Sequence, residues 1–405
     1  LKMLYLVIVE SPAKKQKIQS FLNTIPNHSF IVEASCGHIR YFKNGLKSID
    51  ISDNFKPTYD IIKTKKDVVK NLKFKLKEVS EVIIATDIDR EGEAIGYHVA
   101  ECLGLNISET KRICFNEITK KALVDAFHNP RELDNNLFNA QQTRSILDLL
   151  IGFEISPLLW SNIQPKLSAG RCQSPALKLL IEKEKAIKNF TSNKSYNLTA
   201  EFTIFNAITA TYYKEVKNRE KIVKLLPKLV KYEYKLDNCK KSISTSAAPA
   251  PYITSSIQQD ASSKFGMSPT LTMSVLQKLY EKGKITYMRT DSTYIADTFI
   301  ENIQEYCDDK YPGLFQKKEF KPKTDNAQEA HECIRPVKLV EIDDEFDANE
   351  QKLYKIIFNR TIACQMTKYK EEVYEYTLTS TKKDIHKFKF TLKKIIDLGY
   401  KNVYT

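Results

Sequence analysis

An Ile-Thr-Tyr-Met-Arg-Thr-Asp-Ser run at residues 285–292 places a phenol, Tyr287, two residues before a guanidinium, Arg289. A tyrosine oxygen can attack phosphorus, and an arginine beside it can neutralise the charge that gathers on the non-bridging oxygens. A free tyrosine has a pKa of about 10, so its surroundings would have to activate it. By itself, such a run is more typical of a loop or strand end with ordinary hydrogen bonds.

A group of carboxylates follows a short apolar run. Residues 82–86 (VIIAT) predict a buried strand, and the chain then continues directly into Asp87, Asp89, Glu91 and Glu93. Carboxylates just beyond the carboxyl end of a strand can converge on one point, where open α/β sheets place their sites. Such hard oxygen ligands suit Mg²⁺. The alternative is an acidic helix start, in which the glutamates are favourable near the helix dipole.

A carboxylate and an ammonium lie at a second predicted strand end. Residues 5–9 (YLVIV) predict a buried strand, which leads into Glu10, a Ser-Pro helix start and Lys14. Two strands therefore carry groups that could act on a phosphate.

Alternating strands and helices must position these groups. Residues 1 to about 130 predict a mostly parallel α/β core, with strands at 5–9, 30–34, 82–86 and 112–115 and helices near 13–22, 91–102 and 118–127. The lysine-rich stretch 63–77 predicts an exposed helix within this core.

The rest of the chain alternates between helical and β composition. Residues from about 135 to 190, 252 to 310 and 347 to 368 predict helices, whereas 195–245 and 371–396 predict β structure. An Ala/Pro-rich linker at 247–251 separates the first β stretch from the helices after it. This order indicates one β domain interrupted by an inserted helical domain that carries Tyr287. The final residues, GYKNVYT, predict a strand that is still in progress at Thr405.

Composition narrows the classes of function. The 405 residues suggest two to four domains, and a net charge of +13 suits a polyanionic partner, although a generally lysine-rich proteome is the alternative. The eight cysteines form no C-x-x-C pair, which argues against a zinc ribbon and for reduced thiols in the cytoplasm. No membrane span and no P-loop nucleotide motif are found in the sequence.

Seven segments resemble, in order, those of the type IA DNA topoisomerases. They are VIVESPAK, ATDIDREGEAIGYH, CFNEIT, NAQQTRS, LSAGRCQSPAL, LYEKGKITYMRTDS and EAHECIRP. The first two resemble the Toprim catalytic core, which primases and some nucleases share, whereas their combination with the last two is highly specific. The resemblance covers about residues 4–340.

The resemblance implies catalytic roles. Tyr287 would be the nucleophile that forms a 5′-phosphotyrosyl link and releases a 3′-hydroxyl. Arg289 would stabilise the scissile phosphate, with Lys14 as a second cation. Glu10 would act as general acid and base for the leaving 3′-oxygen. His331 matches a histidine near the active site, although a lone histidine is often only structural.

The resemblance also implies a Mg²⁺ site and a groove for single-stranded DNA. Asp87, Asp89 and Glu91 match the acidic triad, with the two aspartates as the main ligands and Glu10 sharing the ion. His38 lies in a turn that resembles one near the cleavage site, and a turn histidine without DNA contact is the alternative. The other expected DNA contacts are Arg112, Arg144, Asp148, Ser168, Ala169, Gly170, Arg171, Cys172, Gln173, Thr290 and Asp291.

The implied architecture is a multidomain α/β plus α and β protein. It comprises a Toprim (Rossmann-like) core at 1–132, an incomplete helical DNA-groove segment at 133–192, a β arch in two parts at 193–248 and 341–405, and a helical tyrosine domain at 249–340 inserted into the arch. The family's G-I-G-R-P-S-T-Y-like segment is absent from these 405 residues, so we expect a C-terminally truncated chain.

Three functions are compatible with these features. The first is ATP-independent, Mg²⁺-dependent cleavage and rejoining of single-stranded DNA by a monomer, which relaxes negatively supercoiled duplex DNA. The second is a truncated homologue that binds single-stranded DNA without completing cleavage or relaxation. The third, a Toprim nuclease or primase, is disfavoured by residues 285–292 and by the missing nucleotide motifs.

Overall fold

The computed structural model describes residues 2–204, 206–320, 332–340, 345–382 and 385–405. They divide into two compact units. The first comprises Leu1–Glu182, Pro251–Ala296 and Phe320–Phe358, and the second comprises Lys183–Ala250, Asp297–Glu319 and Asn359–Thr405. The predicted division into five segments stays a prediction. No helix among the described residues is long and apolar enough to cross a membrane.

The first unit contains a five-stranded sheet, which confirms the predicted α/β core. In chain order its strands are β1 (Met3–Val9), β2 (His28–Ala34), β3 (Glu81–Ile84), β4 (Lys111–Arg112) and β5 (Arg131–Glu132). They lie in the order β2-β1-β3-β4-β5, and all neighbours are parallel except the edge strand β5. The interior strand β1 is buried from Tyr5 onward, because helices cover both faces of a parallel sheet.

Helices α1 (Lys15–Leu22), α2 (Lys66–Leu76), α3 (Arg90–Leu103) and α4 (Lys120–His128) belong to this core. Ile8, Ile84 and Val99 belong to one hydrophobic cluster that joins the sheet to α3. The helix α3 ends at Gly104, whose φ of 73° is the left-handed conformation typical of a helix C-terminus. All four helices fall close to the stretches predicted as helical.

The first unit also holds α5 (Asn135–Asn162), which contains Pro157, and most of α6 (Gln173–Lys188). No residue of α6 is buried, and Leu179 and Leu180 are about two-thirds exposed, at 67% and 68%. The tyrosine-bearing stretch begins with α8 (Thr254–Phe265) and α9 (Pro269–Glu281), and α11 (Ala348–Ala363) begins in this unit.

The second unit is built on a five-stranded antiparallel sheet. Its strands are β6 (Thr199–Ile204), β7 (Asn206–Tyr212), β8 (Tyr234–Ser246), β9 (Tyr369–Ser380) and β10 (Lys387–Asp397), in the order β6-β7-β10-β9-β8. Strands from both sides of the inserted helical stretch thus share one sheet, as the sequence indicated. The unit also contains α7 (Arg219–Lys231) and α10 (Asp297–Lys310).

Two predictions in this unit were wrong. Residues 195–245 are not β throughout, because Asn218 caps α7 and its buried Ile222 and Leu229 lie seven residues apart on one helical face. The end of the chain is not a strand. Residues Gly399–Tyr404 form a 3₁₀ helix, which begins where the Asp397 side chain accepts a hydrogen bond from the Gly399 amide.

Candidate active site

Tyr287 is held by two parts of the first unit. The turn at Gly283 ends α9, and Ile285 then bridges to Pro336. The Tyr287 amide donates to the Asn116 carbonyl oxygen, 2.8 Å away, in the loop that follows β4. The side chain is 3% exposed, and its ring lies edge-on to Tyr280 with the centroids 5.2 Å apart. The tyrosine is therefore fixed against the α/β core.

The phenol of Tyr287 donates a hydrogen bond to Asp89. The Tyr287 Oη and Asp89 Oδ2 atoms are 2.7 Å apart, and the Arg289 Nη1 atom lies 3.5 Å from the same oxygen. Burial, followed by the negative charges of Asp89 and Asp87, raises the pKa of Tyr287. In this arrangement the phenol is neutral, and its proton points at a carboxylate that could accept it.

Asp89 is placed by the start of α3. Its Oδ1 atom accepts from the Gly92 amide at 2.9 Å, so it caps the helix with one oxygen and receives Tyr287 with the other. A Cβ atom at Gly92 would lie 2.0 Å from the Asp87 carbonyl oxygen, so only glycine allows this tight turn. The local sequence DIDREG therefore places the carboxylates of Asp87 and Asp89 at the same turn between β3 and α3.

Asp87 and Lys14 form a buried ion pair. The Lys14 side chain is 1% exposed and that of Asp87 is 7% exposed. The ammonium also lies 4.6 Å from the centroid of the Tyr280 ring. Because a buried charge is costly unless it is paired, the pair keeps a cation within the acidic cluster.

Glu10 is the carboxyl group whose proton affinity is most altered here. Burial and the negative charges of Asp87 and Asp89 raise its pKa to about 7, while Lys14 and Arg289 act in the opposite direction. A carboxyl group with this pKa can both release and bind a proton at neutral pH. Such a group suits an acid and base that alternate during a reversible reaction.

The acidic cluster has the chemistry of a divalent-cation site. Glu10, Asp87 and Asp89 offer hard oxygen donors, and after burial the negative charges of the two aspartates contribute to the raised pKa of Glu10. Among the described residues, however, no group of three or more His, Cys, Asp or Glu side chains lies close enough to bind a metal together. Lys14 pairs with Asp87, and the Tyr287 phenol occupies one oxygen of Asp89.

The prediction that Glu91 is a metal ligand stays a prediction, and in the structure its carboxylate has other contacts. Its Oε2 atom lies 3.1 Å from His38 Nε2 and 2.9 Å from Gln141 Nε2, and its Oε1 atom lies 3.6 Å from Arg144 Nη1. The hydrogen bond with His38 lowers the pKa of Glu91. Glu91 therefore joins two predicted DNA contacts, His38 and Arg144, in a separate polar cluster.

The prediction of a direct DNA contact by Arg112 is corrected. Its side chain is fully buried and donates to the Asp87 carbonyl oxygen at 2.7 Å and to the Thr86 hydroxyl. Its Nε atom lies 3.0 Å from Glu93, which is itself fully buried. Arg112 therefore supports the backbone that carries Asp87. Its burial could not be predicted from the sequence, because its partner Glu93 is distant along the chain.

The remaining predicted DNA contacts lie in two places. Arg171 and Asp148 pair with each other, with 2.8 Å between Nε and Oδ1, and the Gln173 amide donates to the Ser168 hydroxyl. Ala169 is buried, and its amide donates to Ser156. Gly170 is half-buried, Cys172 is exposed, Thr290 is buried and Asp291 is exposed. His331 lies outside the described residues.

Sequence reasoning missed four residues that shape the site. Tyr280 packs against both Tyr287 and Lys14, and Asn116 accepts the Tyr287 amide. Glu93 receives Arg112 and Arg131, and Gln141 binds Glu91. Glu93, Asn116, Tyr280 and Gln141 all lie inside the segments DREGEAIGYH, CFNEIT, LYEKGKITYMRTDS and NAQQTRS, which was the available signal.

Comparisons with known proteins identify the family of the chain. A Toprim domain model matches residues 5–118, and a DNA topoisomerase model matches residues 132–405. The Toprim domain of type IA topoisomerases is associated with divalent-metal binding. The chain is 39% identical over 423 aligned residues to "DNA topoisomerase 1" of Campylobacter jejuni, a match that covers 98% of this chain and 59% of that protein.

A solved structure shares the fold. The full-length topoisomerase I of Thermotoga maritima superimposes with a TM-score of 0.85 at 34% sequence identity, over 99% of this chain and 67% of that one. One family model matches more than half of the chain, and the Toprim model matches most of the remainder. The chain therefore belongs to the type IA DNA topoisomerases.

Proposed function

We propose that this chain cleaves and rejoins single-stranded DNA through a covalent bond between Tyr287 and a 5′-phosphate. The observation that carries the proposal is the contact between the Tyr287 hydroxyl and Asp89, with Arg289 next to the same carboxylate oxygen. A buried phenol next to a proton acceptor and a guanidinium provides the three groups that attack on phosphorus requires.

The proposed chemistry exchanges one phosphodiester for another. The bond from Tyr287 Oη to phosphorus forms as the bond from phosphorus to the 3′-oxygen breaks. The phenolic proton passes to Asp89, and Glu10 supplies a proton to the leaving 3′-oxygen, in keeping with its pKa of about 7. Rejoining reverses both transfers. Since the two diesters are close in free energy, no nucleotide is consumed.

Mg²⁺ is the proposed cofactor, held by one or two of the carboxylates of Glu10, Asp87 and Asp89, as is usual for this ion. When bound, the cation would supply positive charge next to the scissile phosphate. Lys14, Arg289 and the cation would then share the task of neutralising the phosphate, which the acidic cluster alone would repel. We leave Glu91 out of this proposed set because it lies in the separate polar cluster with His38 and Gln141.

The proposed partner is DNA, bound as a single strand next to the site and relaxed as negatively supercoiled duplex. Four basic or polar side chains are at least partly exposed to solvent and could contact the DNA strand: His38, Arg144, Arg171 and Gln173. The proposal includes a monomer that works in the cytoplasm. The chain spans 59% of the length of its Campylobacter relative. We propose that these 405 residues suffice to relax negatively supercoiled DNA.

A labelled oligonucleotide tests the proposal. The chain is incubated with single-stranded DNA and Mg²⁺, stopped with detergent and analysed on a denaturing gel. We expect a covalent adduct that disappears in Tyr287→Phe. Tyr280→Phe is a matched control, because the Tyr280 hydroxyl is buried and makes no hydrogen bond among the described residues, so its loss should leave the fold intact.

The outcomes of this experiment separate the candidate functions. An adduct that persists in Tyr287→Phe rejects the proposal. Binding without any adduct would identify the chain as a DNA-binding homologue that does not complete cleavage. Hydrolysis that needs Mg²⁺ but not Tyr287 would indicate a Toprim nuclease instead.

A further inference from the structure

A cavity in the first unit, separate from the catalytic side chains, has a strongly basic lining. It has a volume of about 800 Å³, and five of its fourteen lining residues are lysines, against a single acidic residue, Glu117. None of the catalytic side chains lines it. We call it the basic cavity, and its lysines are Lys17, Lys120, Lys121, Lys284 and Lys338.

The lysines of the basic cavity repel one another. Lys17 is half-buried, and burial followed by the charges of Lys284 and Lys338 lowers its pKa. Its Nζ atom donates to a backbone oxygen, that of Lys282. Within the described part of the chain, Lys17 and Lys338 make no ion pair with a carboxylate, and Glu117 is paired with Arg335 at 3.1 Å. The described lining of the cavity therefore carries an excess of positive charge.

The walls of the basic cavity come from two parts of the first unit. One wall is residues 117–121, which follow Asn116, and the other includes Gly283 and Lys284 at the end of α9. Gly283 has a φ of 62°, and a Cβ atom there would lie 2.6 Å from Lys17 Nζ and 2.8 Å from the Ile118 carbonyl oxygen. Glycine is what lets the two walls approach this closely.

The floor of the basic cavity is aromatic. The rings of Phe346 and Tyr354 are 5.1 Å apart, and Lys284 Nζ lies 5.6 Å from the centroid of Phe346. Such a contact helps to position the Lys284 side chain at the cavity lining. A concave site of this size with several fixed cations fits a compact ligand that carries several negative charges.

We propose that the basic cavity binds a small polyphosphate anion, either the triphosphate group of a nucleotide or free inorganic tripolyphosphate. Phosphate oxygens accept hydrogen bonds from ammonium groups, and linked phosphates match the spread of cations from Lys17 to Lys338. The acidic cluster at Glu10, Asp87 and Asp89 would repel such an anion. The two sites therefore differ in the sign of the charge they attract.

Binding in the basic cavity would act on the catalytic tyrosine. Asn116, which accepts the Tyr287 amide, immediately precedes one wall, and Lys284 of the other wall lies three residues before Tyr287. An anion that engages both walls would hold the tyrosine segment against the α/β core. This consequence rests on the proposed function, and we expect the anion to slow strand passage more than cleavage.

Calorimetric titration with tripolyphosphate, without divalent metal, tests the binding. The variant K17Q/K338Q removes two cavity lysines, and K66Q/K70Q removes two exposed lysines of α2 as a control with the same charge change. We expect binding to weaken at least about tenfold in the first variant and to change less than about twofold in the second. Equal weakening in both, or no binding by the unmodified chain, would overturn the proposal.

Thermal melts verify that both variants fold. If K17Q/K338Q does not fold, the single variant K338Q replaces it, because Lys338 is exposed, and an unchanged affinity in K338Q would then count against the site. A parallel titration with ATP distinguishes the sources: tighter binding than tripolyphosphate indicates that the base is also contacted, and equal binding indicates the phosphates alone. If K17Q/K338Q loses affinity only for a single-stranded oligonucleotide, the cavity is a DNA contact and the proposal is wrong.

A relaxation assay with excess Mg²⁺ tests the functional consequence separately. Tripolyphosphate should slow relaxation by the unmodified chain and have little effect on K17Q/K338Q. Binding without such an effect would reject the link to Tyr287 while the site itself stands. Absence of cleavage by the unmodified chain would instead count against the proposed function, and the titration would still decide whether the cavity binds the anion.

Discussion

At the scale of single residues, the properties of the site depend on which neighbouring groups bind the carboxylate oxygens. Asp89 uses one oxygen to cap α3 and the other to receive Tyr287, and Asp87 is neutralised by Lys14. No side-chain hydrogen bond or ion pair of Glu10 is found among the described residues, and its pKa is raised to about 7, chiefly by burial. The contacts and the burial of each carboxyl group thus determine how readily it can exchange a proton or bind a cation.

The charge on Glu10 should make stability depend on pH. Its pKa is about 7 in the folded chain, against about 4.3 for a free glutamate, so the folded state loses stability as pH rises between these values. Glu10→Gln removes this cost. We expect the variant to be stabilised by on the order of 2 kcal/mol more at pH 8 than at pH 5. Chemical denaturation at both pH values measures the difference, and an equal effect at both would contradict the raised pKa.

The sequence predicted the identity of these residues better than their partners. Glu10, Lys14, Asp87 and Asp89 follow two strand ends, and parallel neighbours β1 and β3 bring those ends together. Glu91 lies only two residues after Asp89, yet it turns toward His38, which is distant along the chain. Partners of that kind depend on tertiary packing, which local spacing does not encode.

At the scale of elements, the turn from β3 into α3 is the feature that positions the carboxylates. Gly92→Ala would force a Cβ atom to 2.0 Å from the Asp87 carbonyl oxygen, so the turn must shift. We expect a loss of roughly 1–3 kcal/mol or more in unfolding free energy, as for other overpacked sites, together with loss of cleavage.

Gly152→Ala provides the contrast within α5. A Cβ atom there would meet nothing within 4 Å, so alanine should stabilise this helix by roughly 0.5–1 kcal/mol. Urea denaturation of the two variants checks both signs. Similar effects of the two substitutions would mean that the turn at Gly92 is not under steric constraint.

The buried pair at the start of α3 should also be costly to break. Glu93 is fully buried, accepts hydrogen bonds from Arg131 and forms an ion pair with Arg112, so Glu93→Ala leaves the fully buried Arg112 without its carboxylate. We expect a loss of roughly 3–5 kcal/mol in unfolding free energy. Glu184→Ala, which removes an exposed pair with Lys188, should change it by less than about 1 kcal/mol. Comparable losses in the two variants would argue against a structural role for the Glu93 cluster.

The exposed helix α6 should differ in dynamics from α3. None of its residues is buried, whereas nine residues of α3 are buried. Few packed contacts leave a helix with a low free energy of local opening. We expect the amides of α6 to exchange with solvent faster than those of α3 by several orders of magnitude. Mass-spectrometric hydrogen exchange measures this, and equal protection in both helices would contradict it.

Elements were predictable where their pattern was strong. The apolar runs of β1 and β3 and the amphipathic helices α2 and α3 were found within a few residues of their observed bounds. The helix α7 was missed because the β-type composition of residues 195–245 as a whole predicted β structure throughout. Its signal was Asn218, an N-cap residue, followed by apolar residues at helical spacing.

At the scale of the whole molecule, the chain consists of two compact units with different architectures. The first combines a parallel α/β core with the helical stretch that carries Tyr287, and the second is an antiparallel sheet assembled from distant parts of the chain. That interleaving was predictable from β-rich stretches on either side of a helical one. The tyrosine segment and the carboxylates meet within one unit, so one folding unit contains all the described catalytic groups.

The polarity of the covalent bond tests the central claim most directly. One oligonucleotide is labelled at its 3′ end and, in a second sample, at its 5′ end, and each is incubated with the chain and Mg²⁺ before denaturation. If Tyr287 takes the 5′-phosphate, the 3′ label remains on the protein, the 5′ label leaves on a free fragment, and both signals disappear in Tyr287→Phe. Retention of the 5′ label, or any adduct in Tyr287→Phe, would contradict the account.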